Sequence, residues 1–147
     1  MITAELSALR DRATDLHKAG NRAEAMALYA GYLAQVPGDP MIWTNLGALH
    51  RVEGRHDLAL AAQARAYAID PKSRNILNNY ANALNDIGHH ERSVALRREL
   101  IALEPGDPNH RAMEGKSLRA LGRHDEGIRL LKRGVADHPG FHELRIQ

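Results

Sequence analysis

Between residues 40 and 73 the apolar positions change phase around a glycine. Trp43, Leu46, Gly47 and His50 recur at i, i+3, i+4 and i+7, one face of a helix. Asp39 is placed to cap that helix, and Pro40 suits its first turn, where a missing N–H costs nothing. Gly54 then supplies a turn. Ala59, Ala62, Ala66 and Ile69 line a second helix, which Pro71 ends by disfavouring helical geometry at Asp70. A helix pair this small cannot bury both of its faces alone, so it needs neighbours.

The rest of the chain provides them. Gly20, Gly54, Gly88 and Gly122 are spaced 34 residues apart, and Pro37, Pro71, Pro105 and Pro139 keep the same step. Three more columns share that register: Ala13, Gly47, Ala81 and Gly115; Leu16, His50, Leu84 and Leu118; Ala25, Ala59, Ser93 and Gly127. The glycine turns the chain between helices. The proline closes the second helix, and the small residues allow close helix approach. His56, His90 and His124 follow the turn glycine, each with an acid next to it in the first turn of the second helix, where the dipole favours negative charge. Four units result, 6–39, 40–73, 74–107 and 108–141.

Composition narrows the picture. Of 147 residues, 44% are hydrophobic, yet only 4% are aromatic, so alanine and leucine form most of the core. Valine and isoleucine are sparse, which disfavours strands. With no cysteine, thiolate and disulfide chemistry are excluded. The longest apolar run is too short to span a membrane, and the charged N-terminus lacks a signal-peptide core, so a cytoplasmic chain is expected. The formal net charge of +2 argues against a dedicated nucleic-acid or membrane binder. Residues 111–133 are nonetheless locally basic.

The repeat pattern resembles the tetratricopeptide repeat, W-x2-L-G-x2-Y, then A-x3-F, then P. Trp43, Leu46, Gly47, Ala59 and Pro71 match it in the second unit, with His50 and Gln63 at the tyrosine and phenylalanine positions. Tyr29 holds the phenylalanine position in the first unit and Arg97 in the third. Arg111 and Glu114 make the fourth unit the most divergent. The resemblance covers residues 6–141 and implies an all-α fold, a right-handed superhelix of four helix-turn-helix units in one domain. It also implies a concave groove, lined by the first helix of each pair, that holds a peptide or partner helix. Residues 142–147 begin what would be a fifth unit. The second helix of the fourth (Ile128, Leu130, Leu131, Val135) would then show apolar surface. The expectation is an N-terminal fragment of a longer protein, with coverage by another copy, a homo-oligomer, as the alternative.

The groove candidates follow from the same register. Asn75, Asn78, Asn79, Asn82 and Asn85 share one face of the third unit's first helix, opposite Ile76, Leu77, Tyr80, Ala81 and Leu84. Asparagine is a mediocre helix former, so five on one face carry a propensity cost. An amide both donates and accepts, so it can pair with a peptide backbone whatever the peptide's side chains. A merely solvated polar face is the alternative. Arg10, Asn45, Arg51, Lys116 and Arg119 extend the face along the other units and make it mildly basic, suited to an acidic or C-terminal peptide. Asn45 and Asn79, one repeat apart, resemble the asparagine ladder of the O-linked N-acetylglucosamine transferases, which grips substrate peptide backbone. The carboxylate clamp of heat-shock co-chaperones fits less well. Asn75 and Asn79 stand where it needs a lysine and an arginine.

No catalytic chemistry is expected. His56, His90 and His124 lie one per repeat, too far apart to share an ion, and His110 with Glu114 lacks a third ligand. The turn glycines are spread along the chain and form no phosphate loop, and Ser7, Ser73, Ser93 and Ser117 sit in no nucleophile motif. No metal or cofactor is expected. The readings that remain are a non-catalytic protein-binding module, the substrate-recruiting front of a larger bacterial transferase, and a self-assembling scaffold.

Overall fold

A computed structural model describes residues 2–120. Among them are seven α-helices and no strand: α1 (Ala4–Lys18), α2 (Arg22–Gln35), α3 (Pro40–Val52), α4 (His56–Ile69), α5 (Arg74–Asp86), α6 (His90–Leu103) and α7 (Pro108–Ala120). The first helix of each unit is α1, α3, α5 or α7, and the second is α2, α4 or α6. Gly122 and the rest of the fourth unit's second helix, with residues 142–147, lie outside the described residues.

The two kinds of helix start differently. Helices α1, α3 and α5 begin with a side-chain cap: Thr3 Oγ1 accepts from Leu6 N at 3.1 Å, Asp39 Oδ1 from Ile42 N at 3.4 Å, and Ser73 Oγ from Ile76 N at 3.4 Å. Second helices lack such a cap and emerge from a repeated turn. In that turn the N–H after the glycine returns to a carbonyl in the last turn of the preceding helix. The bonds are Asn21 to Leu16, Arg55 to His50 and His89 to Leu84, at 2.8–2.9 Å. Closing this loop needs a left-handed residue, and Gly20, Gly54 and Gly88 provide it with φ of +75 to +85°. Glu24, Asp57 and Glu91 then sit in the first turn of α2, α4 and α6.

Helices α1, α3 and α5 pack on the second helices of their own units, and α2, α4 and α6 pack on the next first helix. Helices α3 and α5 also touch directly. First helices therefore form the inner wall of an all-α superhelix, and second helices its outer layer. Ala13, Ala25, Tyr29, Tyr32, Leu33, Ile42, Leu46 and Leu49 form one core cluster; Leu77, Ala81, Leu84, Leu96 and Leu100 form another. Two positions depart from the sequence pattern. Ile69 is the last residue of α4, too near its end to be covered, and is exposed. Trp43 is only half-buried: its Nε1 donates to Pro37 O at 2.7 Å, and the Arg65 guanidinium lies 5.1 Å over its ring. No helix among the described residues is long and apolar enough to cross a membrane.

Candidate functional site

The inner face is built by one column of the second helices reaching beneath the first. In α2 the column is Tyr29, in α4 Gln63 and in α6 Arg97, and all three are buried. The Tyr29 hydroxyl lies 3.0 Å from His17 Nδ1. Burial raises its pKa, and the same burial lowers that of His17. Gln63 makes two bonds to Thr44: its Oε1 accepts from Oγ1 at 2.6 Å, and its Nε2 donates to the carbonyl at 3.0 Å. Gly47 makes room for this amide. A Cβ there would stand 2.9 Å from Gln63 Cδ and 3.2 Å from the Ala59 carbonyl oxygen.

The asparagine face is drawn into this network. Asn79 Nδ2 donates to Thr44 Oγ1 at 2.9 Å, joining α5 to α3. Arg97 Nη1 donates to Asn78 Oδ1 and Nη2 to Asn82 Oδ1, each at 2.5 Å. Asn85 Oδ1 accepts from Ser117 Oγ of α7 at 3.0 Å and also meets His90 Nδ1. Asn75 alone of the five is exposed. Four of the five amides therefore commit one polar atom to a neighbouring helix and keep the other for a further bond.

The cations sit in varied company. Arg10 is half-buried beside Ser7 (3.3 Å) and Asp11 (3.5 Å). Arg51 is bidentate to Asp86 at 2.5 and 3.2 Å, and this bond raises its pKa. His56 lies 3.6 Å from the same carboxylate. Lys116 and Arg119 are exposed on α7. Arg97 and Gln63 depart from the repeat pattern at its aromatic position, and that departure alone assigns them no role. The signal was available: a polar residue at a buried position of the second helix, one turn below asparagines on the first.

A second feature lies between α2 and α3. A cleft of about 400 Å³ is lined by Ala23, Met26, Ala27, Ala30, Leu46, His50, Glu53 and Arg55. The Nδ1 atom of His50 is buried without a hydrogen-bond partner among the described residues. Burial chiefly, and Arg55 in addition, lower its pKa.

Residues 10–74 match the family model described as a tetratricopeptide repeat. Over 87 residues, 56% of this chain, the sequence is 39% identical to the cytochrome c-type biogenesis protein CcmH of Escherichia coli strain K12, and it covers 25% of that protein. The chain thus spans a quarter of the length of the curated relatives it matches. Among solved structures, MamA from Desulfovibrio magneticus RS-1 superposes with a TM-score of 0.78 at 14% identity, over 95% of this chain and 78% of that one. The first tetratricopeptide domain of Spaghetti (RPAP3), bound to the HSP90 peptide SRMEEVD, gives 0.75 at 17% identity, over 83% and 97%. The Sgt2 domain from Aspergillus fumigatus gives 0.71 at 19% identity, over 85% and 84%. At these identities the likeness is one of fold. Residues 10–74 thus carry tetratricopeptide repeats, and the described chain has the all-α superhelical architecture of that repeat.

Proposed function

We propose that this chain is a non-catalytic interaction module that holds an extended peptide or a partner helix against the inner face of α1, α3, α5 and α7. The observation that carries this reading is the polar network crossing from α5 to α3, Asn79 to Thr44 to Gln63, which orders a continuous hydrogen-bonding wall across two repeats. A wall whose polar atoms are half satisfied from within is preorganised, so an occupant binds it at lower entropic cost. The fold neighbour solved with an acidic HSP90 peptide supports a peptide as the occupant class. An acidic or C-terminal segment is favoured here by Arg10, Lys116 and Arg119. Arg51 adds less long-range attraction, because Asp86 neutralises it. In this reading the four units form one domain acting in the cytoplasm.

The test is selection from a peptide library by the full chain, followed by NMR mapping of the best binder. Perturbation centred on Asn45, Asn75 and Asn79 is expected. Perturbation confined to α2, α4 and α6 would refute the groove. A second reading is the recruiting segment of a larger protein. It is favoured by the match to a stretch of the much longer CcmH. Its transferase form rests on the likeness of Asn45 and Asn79 to the peptide-gripping asparagines of O-linked N-acetylglucosamine transferases. A stop codon directly after Gln147 in the gene would sink it. Self-association through the C-terminal end is a third reading, opposed by any light-scattering series that stays monomeric with rising concentration.

A further inference from the structure

Arg97 is 2% exposed, and a guanidinium keeps its proton in a protein, so it is a buried cation. Its hydrogen-bond partners among the described residues are two neutral amide oxygens, those of Asn78 and Asn82. Among the described residues no carboxylate meets it, and its buried Nε has no hydrogen-bond partner. The charge it feels most is of like sign: Arg51 acts with burial to lower its pKa. Arg51 has a carboxylate of its own, that of Asp86. A buried cation in this state lacks the counter-charge that ordinarily offsets its desolvation.

The chemistry of the two asparagines shows where a counter-charge would enter. Arginine only donates, so both amides must present oxygen to it. Each amide N–H2 is then on the other side of the same carbon, turned away from the guanidinium. Both asparagines are half-buried, so neither is sealed from solvent. They are i and i+4 on α5, about 6 Å apart at Cβ, so a single carboxylate can take one N–H from each. The cation behind polarises both amides and makes them stronger donors.

We infer that Asn78 and Asn82, backed by the buried Arg97, form an anion seat on the inner face whose ligand is a carboxylate. It rests on the groove reading above and names the chemistry of one contact within it. The carboxylate can be an Asp or Glu side chain or a chain end, and the test separates the two.

The full chain, 15N-labelled, is titrated with three peptides while the side-chain N–H2 resonances of Asn78 and Asn82 are followed. N-acetyl-triglutamate amide offers only side-chain carboxylates, N-acetyl-trialanine acid only a chain end, and N-acetyl-trialanine amide neither. Saturable shifts with one or both anionic peptides, and none with the neutral one, are expected. Whichever anionic peptide binds more tightly identifies the source. Arg97→Gln places at this position the residue that α4 already buries at Gln63, and it should weaken anionic binding about tenfold or more. Asn78→Asp supplies the missing anion from within and should abolish the seat without unfolding the chain. If the neutral peptide binds the same face as tightly, or Arg97→Gln binds the anions unchanged, the seat is refuted and the groove stands. If no peptide perturbs any inner-face resonance, both are refuted.

Discussion

His50→Leu should stabilise the protein, and the gain should grow as pH falls. Leu16, Leu84 and Leu118 hold the equivalent place in the other repeats, so a leucine fits the geometry of this column. His50 brings to it a buried Nδ1 with no partner, and an orphaned polar atom of this kind costs about 1–3 kcal/mol. The adjoining cleft offers Met26, Ala27, Ala30 and Leu46 as apolar neighbours for the new side chain. His50 would favour the last turn of α3 only when charged, and with its pKa held low by burial it is neutral at pH 7.5, so no dipole contribution is lost there. A gain of about 1–3 kcal/mol at pH 7.5 follows.

The pH dependence has a definite sign. Burial holds the folded pKa of His50 below its unfolded value of about 6.5. As pH falls through the unfolded value, the unfolded chain takes up the proton first, and the native protein loses stability until the folded value is passed. Leucine does not titrate. The difference between variant and native protein therefore widens between pH 7.5 and pH 5.5. Urea unfolding at both values, followed by circular dichroism, measures it. A variant less stable than the native protein, or a difference that stays constant with pH, would refute the reasoning.

Three further outcomes test the network. Gly47→Ala drives a Cβ against the Gln63 amide, which is tied by two bonds and cannot swing aside, and against the Ala59 carbonyl; a loss of about 1–3 kcal/mol should appear in urea unfolding. Thr44→Val keeps the shape but removes the hydroxyl shared by Gln63 and Asn79, and should cost about 1–3 kcal/mol while broadening the Asn79 side-chain resonance. Asp39→Ala removes both the cap of α3 and the acceptor of the Tyr32 hydroxyl at 2.7 Å, so the midpoint of thermal unfolding should fall by an amount matching about 1–2 kcal/mol.

Much of the architecture was legible before any coordinates. The helix starts at Pro40, His56 and His90, the left-handed turns at Gly20, Gly54 and Gly88, and the burial of Ala59, Ala62 and Ala66 all follow from local rules. Such rules act within a turn or two of chain, and a repeat states each of them several times. The face carrying Asn75, Asn78, Asn79, Asn82 and Asn85 was legible in the same way, because helical periodicity alone decides which side chains share a side. Which atom of each amide would face inward was not. That depends on what lies beneath: Thr44 from the preceding repeat takes the Asn79 nitrogen, and Arg97 from the following helix takes the oxygens of Asn78 and Asn82. Those partners are separated from the asparagines by 15 to 35 positions of chain. The exposure of Ile69 and the rim position of Trp43 were equally set by where neighbouring helices end. Sequence alone determined the repeat, its turns and its faces, because these are local choices made residue by residue. Only the tertiary structure decided the polarity of the inner wall, because a hydrogen bond between helices exists only once both are in place.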